Sequence, residues 1–264
     1  MTDAAQENAT RNPNATALLQ QVSDYWDTRA EGYSIRTIDE LQGPRGEAWS
    51  RKLFPALALP EGARVADIGC GPGLFALLAA KAGYKATGCD ASPGMLARAK
   101  ANAEAAGLEC DFIEADATKL PFEDASLDAV ISRYLVWNLP DPKAAFREWL
   151  RVLKPGGAIL YADGNHYRYL TDADYARVHA EEATPYGHAG KFVLGVDTSP
   201  MERLARSLPL TGTDRPGWDI ETLLELGCTD ACVLEPELAR TRDPRTGTEK
   251  AVITNFMVLA HKAA

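Results

Sequence analysis

Nine residues, Val65-Ala66-Asp67-Ile68-Gly69-Cys70-Gly71-Pro72-Gly73, join an acidic residue to a turn with a glycine at every second position. The short apolar run before the turn reads as a strand, and Leu74 to Ala80, rich in good helix formers, as a helix. Strand, glycine turn, helix is the entry to a mononucleotide-binding α/β unit, where backbone approaches a ligand with no Cβ in the way. The spacing is G-x-G-x-G with Asp67 two positions before Gly69, not the G-x-G-x-x-G of dinucleotide sites. A carboxylate inside such a turn repels a pyrophosphate and suits an ammonium group. The turn therefore points away from NAD and toward a ligand with an amino-acid end.

Asp90 lies 17 residues after Gly73, at the end of the next expected strand. A carboxylate there can accept from both hydroxyls of a ribose, as acidic residues do in dinucleotide folds. Its alternative is an acid favoured at a helix N-terminus by the dipole. Three of the four histidines, His166, His179 and His188, fall in one irregular stretch, at spacings that match no metal motif. His166 is the most suggestive, just beyond the fifth expected strand, at the face where open α/β sheets bind ligands. Tyr161, Tyr167, Tyr169, Tyr175, Tyr186, Phe192 and Trp218 crowd the same stretch, as the core of a cap, as walls of an aromatic pocket, or as both. Five cysteines without framework spacing fit reduced thiols, and Cys228 and Cys232 read as small buried hydrophobes rather than as half of a metal site.

The elements that would position these groups alternate regularly. Helices are expected over Ala17–Ala30 and Arg45–Leu57, then a strand at Arg64–Ile68, a helix at Leu74–Ala82 closed by Gly83, and a strand at Lys85–Cys89. Ser92-Pro93 opens a helix that stops at Gly107. Strands at Cys110–Glu114 and Leu127–Ser132, a helix at Pro142–Leu153 and a strand at Ala158–Ala162 follow. Alternation of this kind builds a mostly parallel sheet covered on both faces. The end of the chain differs: helix Trp218–Leu226, strand Ala231–Pro236, a polar turn Arg240–Thr248 and a final strand Ala251–Ala260, two strands joined by a turn and hence antiparallel. About residues 166–215 are too long for a simple loop and read as an inserted cap with one or two helices.

Asp67 to Gly73 resembles motif I of class I S-adenosylmethionine-dependent methyltransferases, and further motifs follow in order. Gly88-Cys89-Asp90-Ala91-Ser92 resembles the acidic end of their second strand, and Glu114 to Ala117 with Leu120-Pro121-Phe122 their adenine-side loop. Leu127 to Val130 resembles the fourth strand, and Leu150 to Gly157 the lead-in to the fifth. The resemblance covers about residues 20–165, is nearest in character to the ubiquinone/menaquinone-type small-molecule enzymes, and extends to the C-terminal hairpin. It implies a Rossmann-like α/β fold: a seven-stranded, mostly parallel sheet with an antiparallel C-terminal hairpin, an N-terminal helical lid and a cap after the fifth strand. It implies S-adenosyl-L-methionine as cofactor, with Asp67 orienting its amino group, Gly69, Cys70, Gly71 and Gly73 lying along its methionine part, and Asp90 on the ribose. Ala91 and Met95 become adenine walls, Asp116 an acceptor for the adenine amino group, or else a solvated loop acid, and Ala117 a backbone donor to the ring. Arg133 stands where a small residue or Asn is more usual; it contacts cofactor or acceptor, or pairs with an acid. Tyr25 to Tyr33 resembles the lid, with Tyr33 on the cofactor's carboxylate or shielding the sulfonium, against the alternative of an aromatic stripe on the sheet. The candidate catalytic residues are His166, Tyr33 and Asn138, the last beside Trp137 after the fourth strand.

The expected reaction is transfer of a methyl group to a small-molecule acceptor by in-line displacement, with a macromolecular acceptor or other chemistry at the same cofactor as alternatives. A net charge of −9 with no basic run argues against nucleic acid. No apolar stretch approaches the ~20 residues of a membrane span, and residues 1–16 lack the basic and apolar regions of a signal peptide. The expectation is a cytoplasmic monomer or homodimer without metal. Its parts are a disordered tail 1–16, a lid 17–60, a cofactor-binding core 61–165, a substrate cap 166–215 and a C-terminal part of the sheet 216–264.

Overall fold

The computed structural model describes residues 13–181 and 192–264. Seven strands form one sheet: β1 Arg64–Ile68, β2 Lys85–Asp90, β3 Asp111–Glu114, β4 Leu127–Arg133, β5 Leu153–Gly164, β6 Cys228–Arg242 and β7 Glu249–Lys262. Their order is β3-β2-β1-β4-β5-β7-β6. The first five are parallel, and β7 joins β5 and β6 antiparallel. The chain reverses direction outward from β1, with β2 on one side and β4 on the other. The ends of β1, β2 and β4 therefore border a crevice, the place where open α/β sheets bind ligands.

The core helices are α3 Leu74–Lys81, α4 Pro93–Ala106 and α5 Pro142–Val152, each with a readable start. Ser92 caps α4 by accepting from the Met95 N–H (3.0 Å), with Pro93 at the first helical position and Gly107 closing the helix left-handed. Asp141 caps α5 through the Ala144 N–H (2.9 Å). On one face of the sheet Phe146, Trp149 and Tyr161 are nearly inaccessible; on the other, Phe75, Leu77 and Leu53 are. Each such side chain contributes about 1.5–3 kcal/mol by leaving water.

The N-terminal helix α1 spans Pro13–Gln42, longer than expected at both ends, and α2 spans Pro44–Leu57. It starts inside the expected tail, whose residues 1–12 lie outside the described residues. It also runs through Gly32, because packing there favours a missing side chain: a Cβ would stand 1.8 Å from the Phe192 carbonyl oxygen. Between β5 and the C-terminal part lie a 3-10 turn Arg168–Leu170, α6 Ala173–Glu181 and α7 Ser199–Ala205. Tyr186 and His188 lie outside the described residues. Tyr25 of α1, Trp137, and Met201, Ala205 and Leu208 of the cap share a small core of their own.

After α8 Gly217–Glu225, the hairpin is longer than the apolar pattern suggested. β6 begins at Cys228, three residues before the expected start at Ala231, and continues past Pro236 to Arg242, so the turn shrinks to residues 243–248. A proline is tolerated because β6 is an edge strand, and the register shifts between Leu234 and Glu237 around it.

Candidate active site

A cavity of about 830 Å³ opens at the carboxyl ends of β1, β2 and β4, beneath α1 and the cap. That volume suits a cofactor-sized ligand, within the ~300–1,000 Å³ usual for such sites. Its floor is the glycine turn. Gly71 has φ +53°, which L side chains resist, and its Cβ position faces open space with only Met95 Sδ at 3.9 Å. The Gly71 N–H donates to Asp90 Oδ2 (2.8 Å), and the Ser92 N–H donates to Asp90 Oδ1 (2.9 Å). Asp90 thus locks the two loops together, while each oxygen keeps a lone pair for a further donor. Burial raises its pKa against those two N–H groups.

Asp67 is 2% exposed. Its Oδ2 accepts from the Ala76 N–H (2.9 Å), and its Oδ1 is buried with no partner. Burial pushes its pKa up to about 8, with Asp90 adding to the rise and Ala76 and Arg133 opposing it. A buried carboxylate oxygen lacking a donor costs free energy until a donor, best a cation, arrives. This is what an ammonium group beside the turn would meet.

Of the predicted contacts, Gly69, Cys70, Ala91, Met95, Ala117, Arg133 and Tyr33 line the cavity together with Asp67, Gly71 and Asp90. Burial holds the Cys70 thiol well above its usual range, so it supplies no thiolate. Gly73 and Asp116 do not line it. Gly73 begins α3 and faces the Phe112 ring and Ala99. Asp116 Oδ1 accepts from the Thr118 N–H (2.7 Å) and hydroxyl (2.8 Å), holding its own turn between Ala115 and Ala117, which do reach the cavity.

The roof is α1. Ser23 donates to the Ala91 carbonyl (2.8 Å), and Ser34 bonds Asn102, which in turn donates to the Pro72 carbonyl (2.9 Å). Asp27 accepts from the Ser92 hydroxyl and the Gly94 N–H. These bonds tie the helix to the loops that form the floor. Its inner face carries Trp26, Tyr33 and Arg36. Arg36 (2.6 Å) and Arg133 (2.5 Å) both bond Glu40. Burial alone would raise the Glu40 pKa, but the two guanidinium groups outweigh it and lower it. Arg133 therefore pairs with an acid, one of the alternatives open from the sequence.

At the far wall Trp137 packs edge-on against Trp26 and His166. Asn138 is 4% exposed; with its amide oriented by its neighbours, nitrogen donates to the Leu135 carbonyl (2.7 Å) and oxygen accepts from Trp26 Nε1 (3.0 Å). Its amide is spent joining the roof to the turn after β4. Tyr134, in the left-handed region at φ +58°, sets its ring against His166. His166 Nε2 is buried without a partner, 3.9 Å from Asp163 Oδ1, beyond hydrogen-bond reach. Burial, with Arg215 and Arg36 nearby, lowers its pKa to about 4, so the imidazole is neutral at neutral pH. Behind it, Asp163 accepts from the Trp137 N–H (3.0 Å) and from Arg215 (3.0 Å), and Arg215 also bonds both oxygens of Asp219.

Sequence reasoning missed Arg29, Arg36 and Glu40, although with Tyr33 they follow the spacing of one helix face once the helix is carried past Gly32. It also missed Asp163 and Arg215, which carry no local signal beyond an acid at a strand end.

Residues 66–161 match a family model described as a methyltransferase domain. A demethylmenaquinone methyltransferase of Renibacterium salmoninarum is 36% identical over 146 residues, 55% of this chain and 60% of that protein. An S-adenosyl-L-methionine-dependent Diels-Alderase of Neonectria sp. is 34% identical over 129 residues, 49% of each. The chain thus spans less than two thirds of either relative. Among solved structures, a Haemonchus contortus phosphoethanolamine N-methyltransferase in complex with S-adenosylhomocysteine superposes with a TM-score of 0.60 over 92% of this chain and 60% of that one, at 19% identity, which speaks for the fold. The domain match falls on the part of the chain that holds the glycine turn, Asp90 and Ala117, the floor of the cavity. Among the described residues no helix is long and apolar enough to cross a membrane, and no cluster of His, Cys, Asp and Glu could hold a metal ion.

Proposed function

We propose that the protein binds S-adenosyl-L-methionine in this cavity and transfers its methyl group to a small-molecule acceptor by in-line displacement. The observation that carries the reading is the orphaned Oδ1 of Asp67, a buried acceptor next to a turn built for close backbone approach. Asp67 holds the ammonium end, the Gly69–Gly71 backbone lies along the methionine part, Asp90 accepts from the ribose, and Ala91, Met95 and Ala117 enclose the adenine. Asp116 shapes the adenine-side loop rather than reaching the base. When bound, the cofactor supplies a methyl group already activated on a sulfonium. The chain's task is then alignment and exclusion of water, and positioning of that kind is worth up to roughly 7–11 kcal/mol. Tyr33, Trp26 and Trp137 close the site from above, and neutral His166 is the group placed to accept a proton or a hydrogen bond from the acceptor. The Diels-Alderase relative supports a second reading, in which the cofactor is held and other chemistry is done on a small molecule.

Calorimetry with S-adenosylhomocysteine at several pH values tests the first step. Asp67 has a pKa of about 8 in the free protein, so below that pH it must release a proton before it can pair with an ammonium. Affinity is expected to rise with pH from 6 toward 8, by up to about tenfold per pH unit, and the rise to vanish in Asp67→Asn. A flat profile with unchanged affinity in the variant would remove the assignment. Transfer of a labelled methyl group into a metabolite extract, against protein and RNA fractions, then separates small-molecule from macromolecular acceptors; no transfer despite tight binding favours the second reading.

A further inference from the structure

Arg29 is 5% exposed, lines the cavity, and has no carboxylate partner among the described residues. One nitrogen of its guanidinium, Nη1, donates to the Val193 carbonyl (3.0 Å), and the group lies over the Tyr33 ring at 5.5 Å. Arg36, one helical turn beyond Tyr33, is by contrast neutralised by Glu40, which it shares with Arg133. With a single carbonyl acceptor among the described residues, a buried cation with five N–H donors has donors to spare. Such a charge is costly unless an anion meets it.

Two positions for that anion exist, the carboxylate at the cofactor's amino-acid end and a group on the acceptor. The cofactor's carboxylate is attached to the same carbon as its ammonium, and the ammonium belongs at Asp67. Arg133 is a cation whose field reaches Asp67. Arg29 is instead fastened to the cap, at Val193, and stands on the flank of α1 that turns toward Tyr25 and the cap core. Resting on the methyl-transfer reading above, we infer that Arg29 binds an anionic group of the acceptor, so that the natural acceptor is an acid, a carboxylate or phosphate on a flat apolar body seated against Trp137 and Tyr167. The rings of Trp137 and Tyr167, 5.1 Å apart, supply the surface for that body.

The test uses the full chain saturated with S-adenosylhomocysteine, titrated with hydroxybenzoic acids and with the corresponding neutral hydroxybenzamides. The acids are expected to bind roughly tenfold to a hundredfold more tightly than the amides, the usual worth of a charge-assisted hydrogen bond. Arg29→Met should erase that preference and Arg29→Lys keep part of it, with S-adenosylhomocysteine affinity within about twofold of the parent in both. Loss of S-adenosylhomocysteine affinity in Arg29→Met would assign the guanidinium to the cofactor and overturn the inference. So would an unchanged preference in the variant, or no preference in the parent, including failure of every probe to bind. If S-adenosylhomocysteine itself does not bind the parent, the methyl-transfer reading fails first, and the two failures are told apart by that control.

Discussion

The floor and the roof of the cavity are built from different materials. The floor is backbone: a glycine turn at the ends of β1 and β2, held by two buried carboxylates that take N–H groups from Gly71, Ser92 and Ala76. The roof and the far wall are side chain: the rings of Trp26, Tyr33 and Trp137 and the guanidinium groups of Arg29 and Arg36, with Arg133 at the end of β4 tied to the roof through Glu40. A floor of backbone offers one shape to one ligand, whatever the chain does elsewhere. A roof of side chains can be rewritten residue by residue without disturbing the sheet. On the proposed function, the difference separates constancy from choice: recognition of the cofactor below, discrimination among acceptors above.

The comparison breaks first, and most heavily, at Gly71. Gly71→Val puts branched carbons into the space that the floor keeps open and demands a left-handed backbone of a β-branched residue. Binding of S-adenosylhomocysteine is expected to fall below calorimetric detection. The fold should survive, since the left-handed conformation costs about 1–2 kcal/mol for a residue with a Cβ. A variant that still binds would show that ligand does not touch the turn.

The roof should break differently, through stability. Asp163, Arg215 and Asp219 form a buried network in which Arg215 is 2% exposed and both acids fully enclosed. Asp163 also holds the Trp137 N–H, and so the ring that walls the acceptor side. Removing one partner of such a network leaves a buried charge short of its counter-ion, at a cost of about 3–5 kcal/mol. Asp163→Ala is expected toward the lower end, because Asp219 still grips Arg215 through two bonds. Urea denaturation measures it. A loss of less than about 1 kcal/mol, the scale of an exposed pair, would mean that the network is decorative and the roof rests on packing alone.

How much of this was legible beforehand follows the same division. The floor was readable because each of its requirements is local: a strand's last residue, a glycine at every second position, a cap-then-proline start at Ser92-Pro93. Local requirements leave local traces. Asp116 shows the limit, since the family resemblance implied a ligand contact, with a solvated loop acid as the alternative, while its carboxylate is used by Thr118 two residues away. The roof was hidden because its partners are distant in the chain: Glu40 with Arg133, Asp163 with Arg215, Trp26 with Asn138. The length of α1 was missed for a related reason. Gly32 lies beyond the expected end of the helix at Ala30, and only the Phe192 backbone lying against it explains a glycine there. The hairpin was underestimated because exposed strands show no alternation, and most of β6 is open to solvent.

The smallest expected effect belongs to His166, and it sharpens the comparison most. As a histidine of ordinary pKa it would act as a base with an inflection between about pH 6 and 7.5. Its surroundings move it: burial, with the positive fields of Arg215 and Arg36, brings the pKa to about 4. The sign is that of a cation disfavoured by burial and by like charges, so the neutral form persists through the whole physiological range. A neutral imidazole is always ready to accept a proton, but one with so low a pKa accepts it weakly. His166→Gln should therefore cost no more than about tenfold in turnover, below the usual range for a general base, with S-adenosylhomocysteine affinity unchanged. NMR titration of the labelled imidazole checks the cause, with an expected midpoint near 4. A midpoint near 6.5 together with a loss of a hundredfold or more, the range of a working general base, would make His166 a catalyst in its own right. The roof would then be a place of chemistry as well as of choice.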